Sequence, residues 1–212
     1  MTVLKAVMAP RPSNRGEEYD DDNGGGLREV DVYDLFDSCT PEVTGVYLSG
    51  DVDQEFLAEH RGEFDDLVRA GLRVVVNGHV QRPFLTGLSR WRRAEYRGPA
   101  DLALTRVTEH PVWAGVDPAG LLYNTPPGRW SAQEREQVGV AGFYGRGYYL
   151  DLPHGATVVH TLGRIAGPID LVFPLGSGEV LVHAGNDLMS FASEDRGTGA
   201  LRDNLLDWLE GK

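Results

Sequence analysis

The sequence predicts a three-layer α/β fold whose mostly parallel sheet closes in an antiparallel hairpin and a helix. Three observations predict it. The β-type run 44–48 leads into a helical pattern beginning at Asp53 and then into the continuous apolar run 72–76, the strand–helix–strand order of a parallel crossover. The late runs 169–173 and 179–183 are separated by a short glycine-containing loop, 174–178, as in a hairpin. Residues 199–209 place Leu201, Leu205, Trp208 and Leu209 at spacings that dock one helical face on a sheet.

The elements follow in order. Residues 2–8 form a short apolar, β-branched run ended by Pro10 and Pro12, a first strand. Residues 13–26 carry Glu17, Glu18, Asp20, Asp21 and Asp22 and close with three glycines, so a mobile surface loop is expected. Those carboxylates would suit a metal, but no His or Cys accompanies them and calcium-loop spacing is absent; His183 and Asp187 add a His/Asp set near His79, but without diagnostic metal-ligand spacing, so neither metal nor cofactor is expected. Val30, Asp31, Val32 and Tyr33 alternate as a strand. From Asp53, Phe56, Leu57, His60, Phe64, Leu67 and Val68 recur at three and four, one amphipathic helix that stops at Gly71. Strands are expected at 102–107, 138–141 and 157–160, with a Pro- and Gly-rich excursion over the sheet edge at 110–129.

With 212 residues, 41% of them hydrophobic, the chain suits one core rather than two, and residues 1–212 read as a single domain. A formal charge of -12 repels nucleic acid and acidic membrane surfaces, and neither is expected as a partner. The densest basic patch, Arg90, Trp91, Arg92 and Arg93, reads as a solvated turn of helix or loop. The lone cysteine, Cys39, excludes an internal disulfide, and Asp37 beside it disfavours a thiolate. No apolar run approaches the roughly 20 residues of a membrane span, and the first ten residues do not resemble a signal peptide, so a cytoplasmic location is expected.

Residues 67–79 run from a helix through Gly71 and Leu72 into Val74, Val75 and Val76 and leave at Asn77, Gly78 and His79. This resembles the strand and sharp turn of class I glutamine amidotransferase-like proteins, whose fold is flavodoxin-like. It is similar, more narrowly, to the trehalose-utilisation (ThuA-like) branch, where a strand ends in a histidine. Residues 109–116, with His110 and Pro111, are similar to that branch's His-Pro-hydrophobic loop. Residues 178–187, with Asn204 and Trp208, are similar to its last strand, polar loop and terminal helix. The resemblance implies that His79 holds the position of the nucleophilic cysteine. A glutaminase of this superfamily presents Gly-x-Cys-x-Gly and a late His-Pro-Glu. Here the turn is Asn77-Gly78-His79-Val80-Gln81 and the late loop is His183-Ala184-Gly185. Without a thiolate the acyl-enzyme route has no nucleophile, so glutaminase activity is expected to be absent.

The candidate site gathers at the carboxyl ends of the strands. His79 is its centre, as general base, hydrogen-bond donor or ligand, or as an imidazole that only satisfies nearby backbone. Asn77 and Gly78 either form the turn or offer backbone N–H groups to an anion. Gly50 and Asp51 end the preceding strand on the same rim, where Asp51 is either an acid–base partner or, like Asp53, a helix cap. His183, Asn186 and Asp187 close the last strand and can reach that rim. His110 enters from the resemblance. Tyr144 and Arg146 belong to the glycine-threaded block 142–149, which would stack on a sugar or base and hold a carboxylate or phosphate, or else is a packed turn with exposed tyrosines.

Two functions remain open. One is a non-catalytic amidotransferase-like module that binds a small polar ligand or a partner protein at the rim, the latter through an apolar patch of Trp91, Trp113 and Trp130. The other is a small-molecule enzyme with His79, Asp51 and His183 as its catalytic set. Homo-oligomerisation is left open.

Overall fold

The computed structural model describes residues 2–8, 26–124 and 142–212. Its strands are β1 (Thr2–Val7), β2 (Leu27–Asp31), β3 (Val43–Leu48), β4 (Arg73–Asn77), β5 (Arg92–Arg93), β6 (Leu104–Arg106), β7 (Gly147–Tyr148), β8 (Thr157–Leu162), β9 (Gly167–Leu175) and β10 (Gly178–His183). Its helices are α1 (Leu35–Ser38), α2 (Gln54–Glu59), α3 (Arg61–Arg69) and α4 (Ala200–Glu210). Eight strands form one sheet in the order β2-β1-β3-β4-β10-β9-β8-β6. The first five run parallel, and β9, β8 and β6 continue antiparallel, so the three-layer α/β architecture with a late hairpin is the fold. The order β2-β1-β3-β4 is the flavodoxin-like part.

The centre of the sheet follows from apolar continuity. Val46, Tyr47, Leu48, Val74, Val75, Val76, Val180, Leu181 and Val182 are all buried, as strands covered on both faces require. Between β3 and β4 the chain crosses over through α2 and α3. Asp53 caps α2, its Oδ1 accepting from Glu55 N (2.9 Å) and Phe56 N (3.1 Å). The helix expected to run unbroken to Gly71 is interrupted at His60 (φ -97, ψ 17). There the ring Nδ1 lies 2.9 Å from Phe56 O and competes with the backbone ladder. At the far end, α4 buries Leu201, Leu205, Trp208 and Leu209 against the sheet and packs on β1, β3 and β4.

Other expectations are corrected. The strand placed at 30–33 lies at Leu27–Asp31, because Asp31 Oδ1 accepts from Tyr33 N and turns the chain into a 3-10 helix. Arg92 and Arg93, read as a solvated turn, pair with Tyr148 and Gly147 in a separate two-stranded sheet. Tyr144 and Tyr149, which ligand stacking or a packed turn with exposed tyrosines would each leave accessible, are buried. The part of the 110–129 excursion that is described forms 3-10 turns at Pro111–Trp113 and Pro118–Leu121. The loop at 13–25, the run 138–141 and Trp130 lie outside the described residues. Among the described residues, no helix is long and apolar enough to cross a membrane.

Candidate functional site at the carboxyl ends of β3, β4 and β10

Strands β3, β4 and β10 are parallel neighbours in register, with Leu48 opposite Val76 and Asn77 opposite His183, so they end together. The three segments that leave them wall an open cleft of about 320 Å³ lined by Ser49, Gly50, Asp51, Gly78, His79, Gly185, Asn186 and Asp187. The turn after β4 depends on glycine. Gly78 has φ 88, and a Cβ there would lie 2.9 Å from Gly50 Cα, so the β3 and β4 exits touch backbone to backbone. Asn77 fixes both neighbours: its Nδ2 donates to Leu48 O (2.9 Å) and its Oδ1 accepts from Leu188 N (3.0 Å).

The walls have distinct chemistry. Ser49 Oγ donates to Asp51 Oδ1 (2.7 Å) or Ala6 O (3.0 Å), which leaves Asp51 Oδ2 without an intramolecular partner among the described residues. Because Asp53 takes the capping role, Asp51 remains on the exposed rim. Across the cleft, Tyr47 O–H donates to Asp187 Oδ1 (2.8 Å), and Asn186 Nδ2 donates to Phe143 O. Asp187 Oδ2 and Asn186 Oδ1 are thus left as acceptors. His79 is half-buried, and its ring stacks on Trp91 with centroids 4.0 Å apart. Burial, then the nearby charges of Arg146 and His183, hold its pKa below the usual 6.5. The imidazole is therefore neutral at neutral pH.

Beneath this floor lies a cluster that sequence reasoning missed. Asp170 on β9 is fully buried and sits opposite His183 on β10 and His160 on β8. Its Oδ1 lies 2.6 Å from His183 Nδ1, and its Oδ2 lies 2.8 Å from both His160 Nδ1 and Tyr144 OH. A carboxylate only accepts, so each Nδ1 carries a proton. Arg106 Nε, which only donates, lies 3.2 Å from His160 Nε2, so His160 is neutral. Burial alone would raise the Asp170 pKa. The His183 charge and the hydrogen bonds from both imidazoles override it and hold the carboxyl down at about 2. His183 Nε2 is buried with no hydrogen-bond partner among the described residues. It fills the space that a side chain at Gly185 would take, 2.5 Å from such a Cβ.

The predicted residues therefore divide. Gly50, Asp51, Gly78, His79, Asn186 and Asp187 converge on the cleft, with Asn77 as its brace. His183 and Tyr144 are buried under it. Arg146 is half-buried at its edge, between Gly145, which bridges to Gly185, and Gly147, which abuts the Trp91 ring. His110 stands apart: its Nδ1 accepts from Val112 N (3.3 Å) and its ring packs on Trp113 and Trp208. Trp113 is buried and donates to Tyr144 OH, so it forms no surface patch with Trp91. Cys39 lies outside the cleft, its pKa pushed up to about 11 by burial and then by Glu63. Among the described residues no His, Cys, Asp or Glu group is arranged to hold a metal ion.

No protein-family model matches the chain, and no curated protein matches it in sequence. Solved structures do. The cytoplasmic protein STM3548 from Salmonella typhimurium superposes with a TM-score of 0.53 at 12% identity, over 98% of this chain and 98% of its own. The cytoplasmic protein STM1381 from Salmonella typhimurium LT2 does so with a TM-score of 0.53 at 11% identity, over 99% of each chain. The likeness is one of fold. It extends over at least 98% of each of the three chains and carries no activity with it.

Proposed function

We propose that this chain is an amidotransferase-like domain, nearest the ThuA-like branch, that binds a small hydroxyl-rich ligand in the cleft around His79 and has no glutaminase chemistry. The observation that carries the reading is the inventory of the cleft. Asp51 Oδ2, Asp187 Oδ2 and Asn186 Oδ1 are acceptors, the neutral His79 ring supplies one donor and one acceptor, and Trp91 backs it with an aromatic face. Such a site is satisfied by a ligand rich in O–H donors, and a carboxylate takes two neighbouring hydroxyls at once. The elbow supports the absence of glutaminase chemistry, because it carries an imidazole instead of a thiol and Cys39 lies elsewhere. A small ligand is favoured over a protein partner by the Asp51, Asn186 and Asp187 side chains that line the cleft and by the burial of Trp113. The two cytoplasmic neighbours support a cytoplasmic location.

A second reading rests on His79 itself: a neutral imidazole in an open cleft can act as a general base at neutral pH, so the bound ligand would be chemically altered. Thermal-shift screening of hydroxylated metabolites on the parent, His79→Ala and Asp187→Asn tests the first reading. Stabilisation of the parent alone supports it, and stabilisation that survives both substitutions, or is absent from the parent, overturns it. Mass spectrometry of the stabilising compound after incubation separates binder from enzyme.

A further inference from the structure

We infer that the ligand of this cleft also carries an anionic group, a carboxylate or phosphate, seated between Arg146 and His79. The inference rests on the proposed cleft and adds a charge to its ligand. Gly145 and Gly147 fix where Arg146 stands. Gly145 forms a β-bridge with Gly185 in the cleft wall. Gly147 abuts the ring of Trp91, whose indole stacks on His79 and donates from Nε1 to Ala184 O (3.1 Å). The backbone of Arg146 is held on the other side, where its O accepts from Ala94 N (2.8 Å). The backbone of Arg146 is therefore held beside the cleft wall, where the chain enters the two-stranded ribbon.

The Arg146 guanidinium has no carboxylate partner among the described residues, in a chain of formal charge -12. Arg90, Arg92 and Arg93, exposed along the same ribbon, likewise have none. Acidic side chains are plentiful in the chain, yet among the described residues none lies within ion-pair distance of these arginines. Burial first, and the Arg146 charge second, disfavour the imidazolium at His79, in keeping with the Gly145–Gly185 bridge and the Gly147–Trp91 contact that bring Arg146 to this side of the cleft. The backbone N–H groups of Gly50, Asp51 and His79, on the cleft wall, have no acceptor among the described residues. An anion would satisfy the planar guanidinium fork and draw on these donors, while Asp51 and Asp187 stand at the hydroxyl-binding side.

The test is an NMR titration of the labelled protein at constant ionic strength with inorganic phosphate, with acetate and, separately, with sorbitol. Either anion should give saturable shifts of the Arg146 Nε–H and His79 ring signals. Binding should weaken about ten- to a hundred-fold in Arg146→Gln and stay unchanged in Arg93→Gln. Which anion binds more tightly tells phosphate from carboxylate. Saturable shifts that persist in Arg146→Gln, or no saturable shift with either anion, would overturn the inference. If sorbitol perturbs His79 and Asn186 while both anions do not, the polyol cleft stands and only the anionic group falls. If none of the three perturbs them, both readings fall. Circular dichroism of Arg146→Gln verifies the fold, which the substitution should leave intact because only the Arg146 backbone takes part in it.

Discussion

Asp170→Asn should be among the most damaging single-atom-scale changes in the protein. The carboxylate is fully buried and accepts from His160, His183 and Tyr144 at 2.6–2.8 Å. An amide keeps one acceptor oxygen and turns an NH2 group toward a donor, so at least one of the three loses its partner. Removing one member of a buried charged cluster costs about 3–5 kcal/mol. For a domain of this size that lowers Tm by about 6–20 °C. The pH dependence gives a second, independent number. Asp170 titrates near 2 in the folded protein and near its usual 3.8 when unfolded. Its ionisation therefore contributes about 2 kcal/mol, present above pH ~4 and lost as pH falls toward 2. Urea denaturation of parent and Asp170→Asn at pH 7 and at pH 3 measures both effects. A variant within about 0.5 kcal/mol of the parent at pH 7, or one with the parent's full acid sensitivity, would refute the account of this cluster.

Three further outcomes follow from the same geometry. Gly185→Ala drives a methyl group into His183 Nε2 and the Tyr144 carbonyl, and differential scanning calorimetry should find it destabilised by about 1–3 kcal/mol. Tyr47→Phe removes the hydroxyl that donates to Asp187 and accepts from Met189 N (3.2 Å), and chemical denaturation should show a loss of about 1–3 kcal/mol. The His79 imidazole, followed by NMR against pH, should titrate below 6.5 in the parent. It should move back toward that value in Trp91→Ala, which exposes the ring, and in Arg146→Gln, which removes the neighbouring charge.

Much of the sheet was legible because its central strands are apolar runs, as strands buried on both faces must be. Residues 72–76, 169–173 and 179–183 announced themselves in this way, and the 3.6-residue spacing of α4 did the same. Where local side-chain chemistry competes with the backbone, periodicity misleads. His60 splits a helix whose apolar spacing runs straight through it, and Asp31 ends β2 early by capping the next turn. The ribbon of β5 and β7 is two residues long on each side, too short for any period. The convergence of His79, Asp51 and Asp187 on one cleft was legible because strands in register end together. Asp170 was passed over as part of an apolar run. A lone carboxylate inside Ile169, Leu171, Val172 and Phe173 is itself a signal, since it cannot be buried without partners, and His160 and His183 stand on the two adjoining strands. His183 was assigned to the rim from its place at a strand end, but the alternation of side chains turns its ring inward toward Asp170.

The most direct test of the account is where a ligand sits. A crystal soaked with the hydroxylated metabolite that most stabilises the parent should show it between β3, β4 and β10, with its hydroxyls on Asp51, Asn186 and Asp187 and one face against His79. Density at another surface, such as the open groove beside Val107 and Pro168, with the His79 cleft holding only water, would contradict it.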